Sequence, residues 1–470
     1  MVRAPHGPPA TPEPDAEPRS RVADEEDWNP RLLVSRLGRV FLAATILLSG
    51  APVAAQTAPR GTVTVTSDFF PNRANTGELR ARIFAEEVLD PTPRLLITLS
   101  GFAEGLLARR PVPSTPSHTT VRDAVARVVD ANIDYKGPRF DLLAGFTRIT
   151  WGRLDELQPT DVINPLDASR FFFESRSDAR LPVALVRVRG YLTEKASLEA
   201  VYVPFFRRGR FDQLAEPSSP FNVETAFVPD VAACLAIGCP TLLPVVVEQH
   251  EPSRTAGSAQ GGARFTATTG RVDWSLAAYR GFEPFGIGVA GLPGSSPSFL
   301  PVNVVYPRFT MLGGDFETVR GEWGLRGEVA ALVEDNFQGS SLQILKGSSV
   351  DAGVGLDRKA GDYRVSATAL LHRETHDVSP STQSADRSRS DVSLILSGDR
   401  TFARERYGLR TFAVYNASES SGFVRAIATA KIRDNVALEG SGGWFIGDGR
   451  DIVGRFAASD FLYARLKYYF

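Results

Sequence analysis

The chain of 470 residues has little of several residue types, and each shortage excludes a class of protein. Two cysteines are too few for a disulfide-rich scaffold and cannot form a structural zinc site unaided. Lysine is scarce, with six among the 53 basic residues. Acidic residues number 54, so no excess of positive charge favours nucleic acid as a partner. After Gln56 no apolar run approaches the roughly 20 residues of a membrane-spanning helix, which excludes a bundle of such helices.

The beginning of the sequence predicts an export signal. Residues 1–30 are rich in Pro, Asp and Glu, so they are interpreted as a disordered leader or an over-extended start. Residues 31–55 combine a basic start, the apolar run Val40 to Leu48 and small residues ending in Ala55. This order is typical of a secretory signal peptide cleaved after Ala55, which leaves residues 56–470 as the exported protein.

The two cysteines lie close together in the exported part, as Cys234 and Cys239 in the segment CLAIGC. Because the bacterial periplasm is oxidising, this spacing favours a local disulfide that pins a loop. A free or buried pair of thiols is the alternative.

A period of two in hydrophobicity runs through the exported part. Leu79, Ala81, Ile83 and Ala85 alternate with mostly charged neighbours, and Trp323 to Val333 repeats the pattern. The same alternation recurs at Val272 to Ala278, Tyr363 to Leu371, Val392 to Leu396, Val424 to Ile432 and Val436 to Ile446. Such alternation predicts strands with one apolar face toward lipid and one polar face toward a lumen.

The connections between these segments alternate between tight turns and long polar stretches. Tight turns are predicted at Asp90-Pro91, Lys136 to Pro138, Glu194-Lys195, Thr269-Gly270, Arg320-Gly321, Lys359 to Gly361 and Arg433 to Asn435. Long connections are predicted at 109–119, 152–180, 205–259, 282–306, 337–347 and 374–387. This asymmetry predicts an antiparallel up-and-down β-barrel of roughly 18 strands, range 14–18, in the outer membrane of a Gram-negative bacterium.

The last strand has one face formed by Leu462, Ala464, Leu466, Tyr468 and Phe470. A terminal aromatic residue on such a strand resembles the C-terminal recognition signal of outer-membrane barrels. The resemblance implies that Tyr468 and Phe470 form an assembly signal read by the barrel-insertion machinery. The alternative is a soluble edge strand that happens to end in Phe.

A further resemblance covers Leu142 to Arg210. Trp151-Gly152-Arg153 leads into the stretch Val162 to Asp167, and Arg180-Leu181-Pro182-Val183 follows. This order resembles a widespread family of Gram-negative outer-membrane proteins of unassigned function, with a Trp-Gly, an Asn-Pro-x-Asp and an Arg-x-Pro element. The resemblance implies a porin-like barrel and indicates no particular cargo.

The connection 152–180 is dense in charge and is a candidate for a loop folded into the lumen. Opposed acids and bases at a narrowing would filter solutes by size and charge. The candidate constriction residues are Arg153, Asp155, Glu156, Asp161, Asp167, Arg170, Glu174, Arg176, Asp178 and Arg180, with Arg187 and Arg189 on the next strand. An ordinary solvated loop is the alternative. Arg207, Arg208 and Arg210 would line the mouth or bind lipopolysaccharide phosphates.

Two apparent site motifs lack the helix that their chemistry requires. Gly286 to Gly291 fits G-x-G-x-x-G but precedes no helix that could receive a pyrophosphate. His372 and His376 lie where a strand enters a loop, and a strand does not bring residues four apart together as a helix does. No serine has the strand-turn-helix setting of a nucleophile elbow. The sequence therefore predicts no enzyme activity, no cofactor and no metal.

The predicted function is a porin-type channel with a charged constriction, whose partners are outer-membrane lipid and lipopolysaccharide. The alternative is a transporter or export conduit for a hydrophobic or polymeric substrate, with Phe171 to Phe173 and Phe205-Phe206 at its entrance. An enzyme or an adhesive receptor at the barrel rim is a third reading. No feature of the sequence predicts an oligomeric state.

Overall fold

The computed structural model describes residues 60–112, 116–168, 173–174, 176–210, 220–221, 245–291, 300–339, 342–377, 388–448, 451 and 453–470. The predicted leader, the signal peptide with its cleavage site, Cys234, Cys239 and Arg170 lie outside these residues. The predictions made for them stay predictions.

Within the described residues the chain forms 21 strands. The first eleven are β1 (Arg60–Phe69), β2 (Gly77–Thr92), β3 (Leu95–Pro111), β4 (His118–Lys136), β5 (Phe140–Thr147), β6 (Val183–Thr193), β7 (Ala196–Val203), β8 (Val245–His250), β9 (Gln260–Thr269), β10 (Val272–Phe282) and β11 (Ile287–Ala290). The others are β12 (Leu300–Val305), β13 (Arg308–Arg320), β14 (Trp323–Gln338), β15 (Ile344–Ala360), β16 (Tyr363–His376), β17 (Ser390–Phe402), β18 (Tyr407–Asn416), β19 (Ser421–Arg433), β20 (Val436–Ile446) and β21 (Phe461–Tyr469).

Eighteen of these strands form one antiparallel sheet that closes on itself. Each wall strand pairs with the next wall strand along the chain, β7 with β9, β10 with β13, and finally β1 with both β2 and β21. At the closing seam Thr66 lies opposite Arg80 on one side and Arg465 on the other. Phe470 continues the seam, because its backbone exchanges two hydrogen bonds with Gly61. The predicted fold class and the count of 18 wall strands are confirmed.

The wall strands alternate as predicted, with apolar side chains outside. On β14, Trp323 and Val329 are exposed on the outer face, whereas Glu328 on the opposite face is buried. Exposed aromatic side chains gather near both ends of the strands. One ring comprises Phe140, Tyr191, Trp323, Tyr363, Phe402, Tyr407, Tyr468 and Phe470, and the other comprises Phe69, Tyr202, Tyr415 and Trp444. An apolar band between two aromatic girdles is the outer surface typical of membrane barrels.

The two ends of the barrel differ in their connections. At the turn end, defined here as the end with Arg60 and Tyr469, two-residue links such as Glu194-Lys195 and Gly321-Glu322 join the strands. The opposite end, here the loop end, carries the long connections 148–182, 204–259 and 283–307. The predicted alternation is not strict, because β18 and β19 are joined at the loop end by residues 417–420 alone.

Several predicted connections are shorter than expected because their strands run further. β2 continues through Thr92, so its turn lies at Pro93-Arg94 and not at Asp90-Pro91. The connections expected at 109–119 and 337–347 shrink to 112–117 and 339–343. These strands extend beyond the apolar stretch that reveals them in the sequence.

The connections 204–259 and 283–307, which were predicted to be loops, contribute strands of their own. β8 pairs in parallel with β12, and β12 pairs antiparallel with β11, forming a separate three-stranded sheet. The G-x-G-x-x-G match lies within the predicted connection 282–306, and four of its six residues form strand β11, so the prediction of a loop there is wrong. Helical structure among the described residues is brief, with one α-helix, α1 (Arg176–Ala179). No helix in the described part of the chain is long and apolar enough to cross a membrane.

Candidate functional site in the barrel lumen

The connection from β5 to β6, residues 148–182, is here the inserted segment, and its described residues (148–168, 173–174 and 176–182) reach across the lumen. The clearest evidence is an ion pair of 2.7 Å between Glu156 Oε1 and Arg410 Nη2. Arg410 belongs to β18, which stands nine places from β6 in the 18-strand wall and so lies diametrically opposite. The segment thereby divides the interior into two halves.

Glu328 on β14 anchors the first part of the inserted segment, from Arg153 to Thr160. Its carboxylate accepts hydrogen bonds from the backbone N–H groups of Arg153 (3.0 Å), Leu154 (3.2 Å) and Thr160 (2.7 Å), and from the Thr160 hydroxyl (2.8 Å). Gly152 has φ +94°, and a Cβ there would lie 2.5 Å from the Glu328 carboxylate. Glycine is needed at this position for both its conformation and its small size.

Charged side chains extend this attachment along the wall. Arg153 donates to Asp315 on β13 at 2.6 Å and to Glu317 at 3.1 Å. Asp155 accepts from Arg326 on β14 at 2.8 Å and from Arg364 on β16 at 3.1 Å. Hydrogen bonds with charged partners are the stronger kind, so these pairs fix the segment rather than leave it mobile in water.

The Asn-Pro-x-Asp element closes the base of the inserted segment. The side chain of Asn164 accepts from the backbone N–H of Ile149 at 2.9 Å and donates to the backbone carbonyl of Leu181 at 2.9 Å. It therefore ties the start of the segment to its end. Asp167 meets Arg127 of β4 at 3.2 Å.

An apolar core fills the lumen on the side of β5–β7, β9, β10, β13 and β14, here the filled half. Trp151, which is 1% exposed, stands edge-on to Tyr279 with ring centroids 6.2 Å apart. Its indole N–H donates to Glu199 of β7 at 2.8 Å, so its polar atom is satisfied. The core also contains Leu143, Ile149, Ile163, Val183, Leu185, Val201, Val203, Ala277, Phe309, Met311 and Ala330.

On the other side of the lumen, here the open half, a cavity of about 570 Å³ lies between the inserted segment and the wall formed by β1–β4 and β18–β21. Residues near the turn end, such as Thr62, Lys467 and Tyr469, line it together with residues of the inserted segment. Its cationic lining comprises Arg80, Arg82, Arg127, Arg148, Arg180, Arg207, Arg410, Arg425, Arg465 and Lys467. Its anionic lining comprises Asp68, Glu104, Glu156, Asp167, Glu174, Asp178 and Glu439.

Most of these charges are paired across or along the cavity wall. Arg82 contacts Glu104 of β3 and Glu174 of the inserted segment, each at 2.7 Å. Lys467 donates to Glu439 at 2.8 Å. The pairing holds cationic and anionic side chains in fixed positions, which gives the open half a structured electric field instead of one net sign.

A group of aromatic residues, here the aromatic cluster, packs inside the barrel near the loop end. Phe173 of the inserted segment and Phe221 of the next loop meet edge to face with centroids 4.7 Å apart. Phe221 is fully buried. The other members are Phe70, Phe423, Phe445, Phe456, Phe461 and Tyr463. The cluster joins two long loops to the inner faces of β19–β21.

The structure distributes the predicted constriction residues among four environments. The residues Glu156, Asp167, Glu174, Asp178 and Arg180 line the cavity of the open half. Arg153, Asp155 and Asp161 are not among its lining residues, and Asp161 is buried against Arg180. Arg187 and Arg189 line a second cavity of about 400 Å³ with Glu199. Arg176 belongs to α1, and its side chain is outside the described part.

Sequence reasoning missed most of the wall charges, namely Asp68, Arg80, Arg82, Glu104, Arg127, Arg410, Arg425, Glu439, Arg465 and Lys467. The signal was available for some of them, because Arg80 and Arg82 alternate with the apolar Leu79, Ala81 and Ile83. The period of two along a strand identifies which side chains point inward. It does not indicate which inward residues face a cavity and which face packed protein.

The two histidines singled out in the sequence lie on the inner face of β16 near the loop end. His372 bonds Asp351 at 2.7 Å and Glu374 at 2.9 Å, and His376 bonds the second oxygen of Glu374 at 3.0 Å. The two rings therefore share one carboxylate that lies between them in sequence. No group of side chains suited to hold a metal ion occurs among the described residues.

Comparison with known proteins gives similarity in architecture alone. No protein-family model matches the chain, and no curated protein is similar in sequence. Among solved structures, Pseudomonas aeruginosa OccK7 (OpdD) is 9% identical with a TM-score of 0.47 and covers 88% of this chain and 98% of its own. Acinetobacter baumannii OccAB3 is 9% identical with a TM-score of 0.45, over 88% and 98%.

OmpT, an outer membrane protein of Vibrio cholerae, is 12% identical with a TM-score of 0.39, over 89% of this chain and 100% of its own. At these values the fold assignment rests on the strand pairing described above. The resemblance of Leu142 to Arg210 to a family of unassigned function stays a prediction.

Proposed function

We propose that the protein is an outer-membrane channel that passes small solutes through the open half of its lumen. The observation that carries this proposal is the cavity between the inserted segment and the wall of β1–β4 and β18–β21, which ionised side chains line on both sides. Charged walls hold water and small polar solutes, whereas a packed apolar core would exclude them.

The outer surface supports placement in a Gram-negative outer membrane. Tyr407 and Tyr415, which belong to the two aromatic girdles, are eight residues apart on β18. Eight residues span about 27 Å of strand, or ~20 Å along the barrel axis at the usual tilt, which is close to the height of such an apolar band. The turn end would face the periplasm, since short turns mark that side in bacterial barrels.

Selection by this channel would be steric and electrostatic, without covalent chemistry. The pairs Glu156–Arg410, Glu174–Arg82 and Asp167–Arg127 connect the inserted segment to the wall around the cavity. They set the width of the passage. They also present cations and carboxylates at fixed positions, so a solute is sorted by its own charge distribution as well as its size.

Planar-bilayer recording with the purified exported protein is the direct test. We expect stable single-channel steps, and we expect Arg82→Gln to change the reversal potential in a salt gradient, because Arg82 lines the cavity. Arg358→Gln is the matched control, since Arg358 pairs with Glu322 near the turn end and is not among the cavity-lining residues. A folded barrel that inserts and conducts no ions would refute the channel.

The aromatic cluster keeps a second candidate open, a conduit for a hydrophobic substrate. Its rings, however, are packed on one another, with Phe221 fully buried and Phe461 1% exposed, so they present little free apolar surface to a passing molecule. Lipid that copurifies in a fixed ratio and is identified by mass spectrometry would favour the conduit over the channel.

A further inference from the structure

We propose that Arg425 and the neighbouring ring of Phe412 form a binding site for small aromatic carboxylates inside the passage. This inference rests on the proposed channel and deepens it by naming a solute class. Arg425 on β19 lines the cavity of the open half, as do Phe173, Phe412 and Phe423.

Arg425 differs from its neighbours in how its charge is compensated. Its Nε donates to Ser441 at 3.1 Å, and its Nη2 donates to the Phe173 carbonyl at 3.0 Å and to the Tyr463 hydroxyl at 2.6 Å. All three partners are neutral. Among the described residues no carboxylate lies within ion-pair distance of this guanidinium, although Arg425 is only 9% exposed.

The nearest acid is already committed to other cations. Tyr463 donates its hydroxyl proton to Glu439 at 2.7 Å, so Glu439 lies one residue beyond the guanidinium. Glu439 also accepts from Arg465 at 3.3 Å and from Lys467 at 2.8 Å. Two cations thus already share its one negative charge, which leaves the charge of Arg425 without a dedicated counterion. A buried cation in this position is stabilised when an anion binds.

The free part of the guanidinium is Nη1. It has no hydrogen-bond partner among the described residues, while Nε and Nη2 are used. Carboxylate oxygens are the acceptors that match guanidinium N–H groups best in geometry and charge. An incoming carboxylate would therefore complete the set of partners without displacing any that exist.

The surroundings of Arg425 determine what the carboxylate should carry. Phe412 on β18 lies directly opposite Arg425 in the strand register, and Phe423 precedes it by two residues on the same face. The rings of Phe412 and Phe423 are 6.4 Å apart. Phe423 is buried in the aromatic cluster, whereas Phe412 is half-buried and lines the cavity. A planar ring attached to the carboxylate would contact Phe412, which favours aromatic acids over acetate or inorganic phosphate. A cavity of about 570 Å³ admits a molecule the size of benzoate.

Binding should be measured by isothermal titration of the intact exported protein in detergent with benzoate, acetate and inorganic phosphate. We expect benzoate to bind about tenfold more tightly than acetate, the size of effect that ring contacts provide. Arg425→Gln should abolish benzoate binding, and Arg425→Lys should keep part of it. Phe412→Ala should reduce benzoate to the affinity of acetate. Arg358→Gln should bind benzoate as the unaltered protein does.

Folding of each variant is checked by the shift in mobility of the unheated barrel on denaturing gels. The inference is overturned if folded Arg425→Gln binds benzoate normally, or if benzoate, acetate and phosphate bind alike. Bilayer recording separates this inference from the channel. A conducting protein that does not bind benzoate loses only the site, whereas a protein that binds benzoate without conducting keeps the site and loses the channel.

Discussion

The filled half and the open half of the lumen are built from strands of the same kind and have opposite interiors. In the filled half, inward residues such as Val201, Tyr279 and Met311 share one apolar core with Trp151 of the inserted segment. In the open half, inward residues such as Arg82 and Arg465 line a cavity. The difference teaches that the inserted segment, and not the barrel wall alone, determines where the cavity lies.

The two halves also use charge differently. In the filled half, Glu328 is buried and accepts four hydrogen bonds from the inserted segment, so its charge serves attachment. In the open half, Glu174 and Glu104 flank Arg82 and line the cavity itself. The comparison leads to definite predictions. A change that detaches the inserted segment from the wall should join the filled half and the open half into one cavity.

The largest effect is expected from removing the side-chain attachments in the middle of the inserted segment. Replacing residues 154–161 by glycine and serine, at constant length, removes the side chains of Asp155, Glu156 and Thr160 together with their bonds to β14, β16 and β18. We expect single-channel conductance to rise several-fold, because the divider would no longer cross the lumen. Equal conductance in this variant and the unaltered barrel would contradict the division of the interior.

A smaller effect is expected from Glu328→Ala. The substitution leaves three backbone N–H groups without their acceptor, and each unsatisfied buried group costs roughly 1–3 kcal/mol. We expect a noisy current and faster proteolysis within residues 152–180. Glu328→Gln keeps one carbonyl acceptor, so its rate of proteolysis should lie between those of the unaltered protein and Glu328→Ala. Equal proteolysis of all three proteins would refute the anchoring role.

Phe221→Ala tests the aromatic cluster that borders the open half at the loop end. Truncation of a fully buried Phe typically costs about 3–5 kcal/mol. We expect the thermal midpoint to fall and current fluctuations to increase, since Phe221 contacts Phe173 of the inserted segment. Phe205→Ala is the control, because Phe205 is 49% exposed and should change neither measurement.

The smallest effect concerns pH and the loop end of the filled half. Burial of the carboxyl group, with the nearby charge of Asp335 adding to it, raises the pKa of Glu283 to about 8. Because the folded pKa exceeds the ordinary value of 4.5, the folded state favours the protonated acid. This contribution to stability is complete below that ordinary value and is lost as pH rises through about 8.

Glu283→Gln should remove this dependence. We expect the thermal midpoints of the unaltered protein and the variant to agree better at about pH 5 than at about pH 9, where only the unaltered protein carries the buried charge. A difference between the two proteins that stays constant across this range would show that Glu283 does not titrate as described.

The sequence was sufficient for the wall and insufficient for its interior. The alternation of Leu79, Ala81 and Ile83 with Arg80 and Arg82 predicts strand and facing together, because a strand has a period of two. The charge of residues 152–180 singled out the segment. Its partners were not predictable, since Glu156 meets Arg410 across 254 residues of sequence and no local pattern encodes that pairing.

The small sheet of β8, β11 and β12 was missed for a related reason. β11 has four residues and β8 has six, too few to show a period. Each is held by pairing with β12, which is remote in sequence from β8. Short strands of this kind are specified by their neighbours more than by their own residues.

The reach of the inserted segment also constrains the order of assembly. Glu174 contacts Arg82 of β2, and Glu156 contacts Arg410 of β18, so the segment touches strands on both sides of the seam between β1 and β21. Both contacts can exist together only after the seam has joined. Protection of residues 152–180 from protease during refolding would therefore report the moment at which the cylinder closes, and it should appear later than sheet formation.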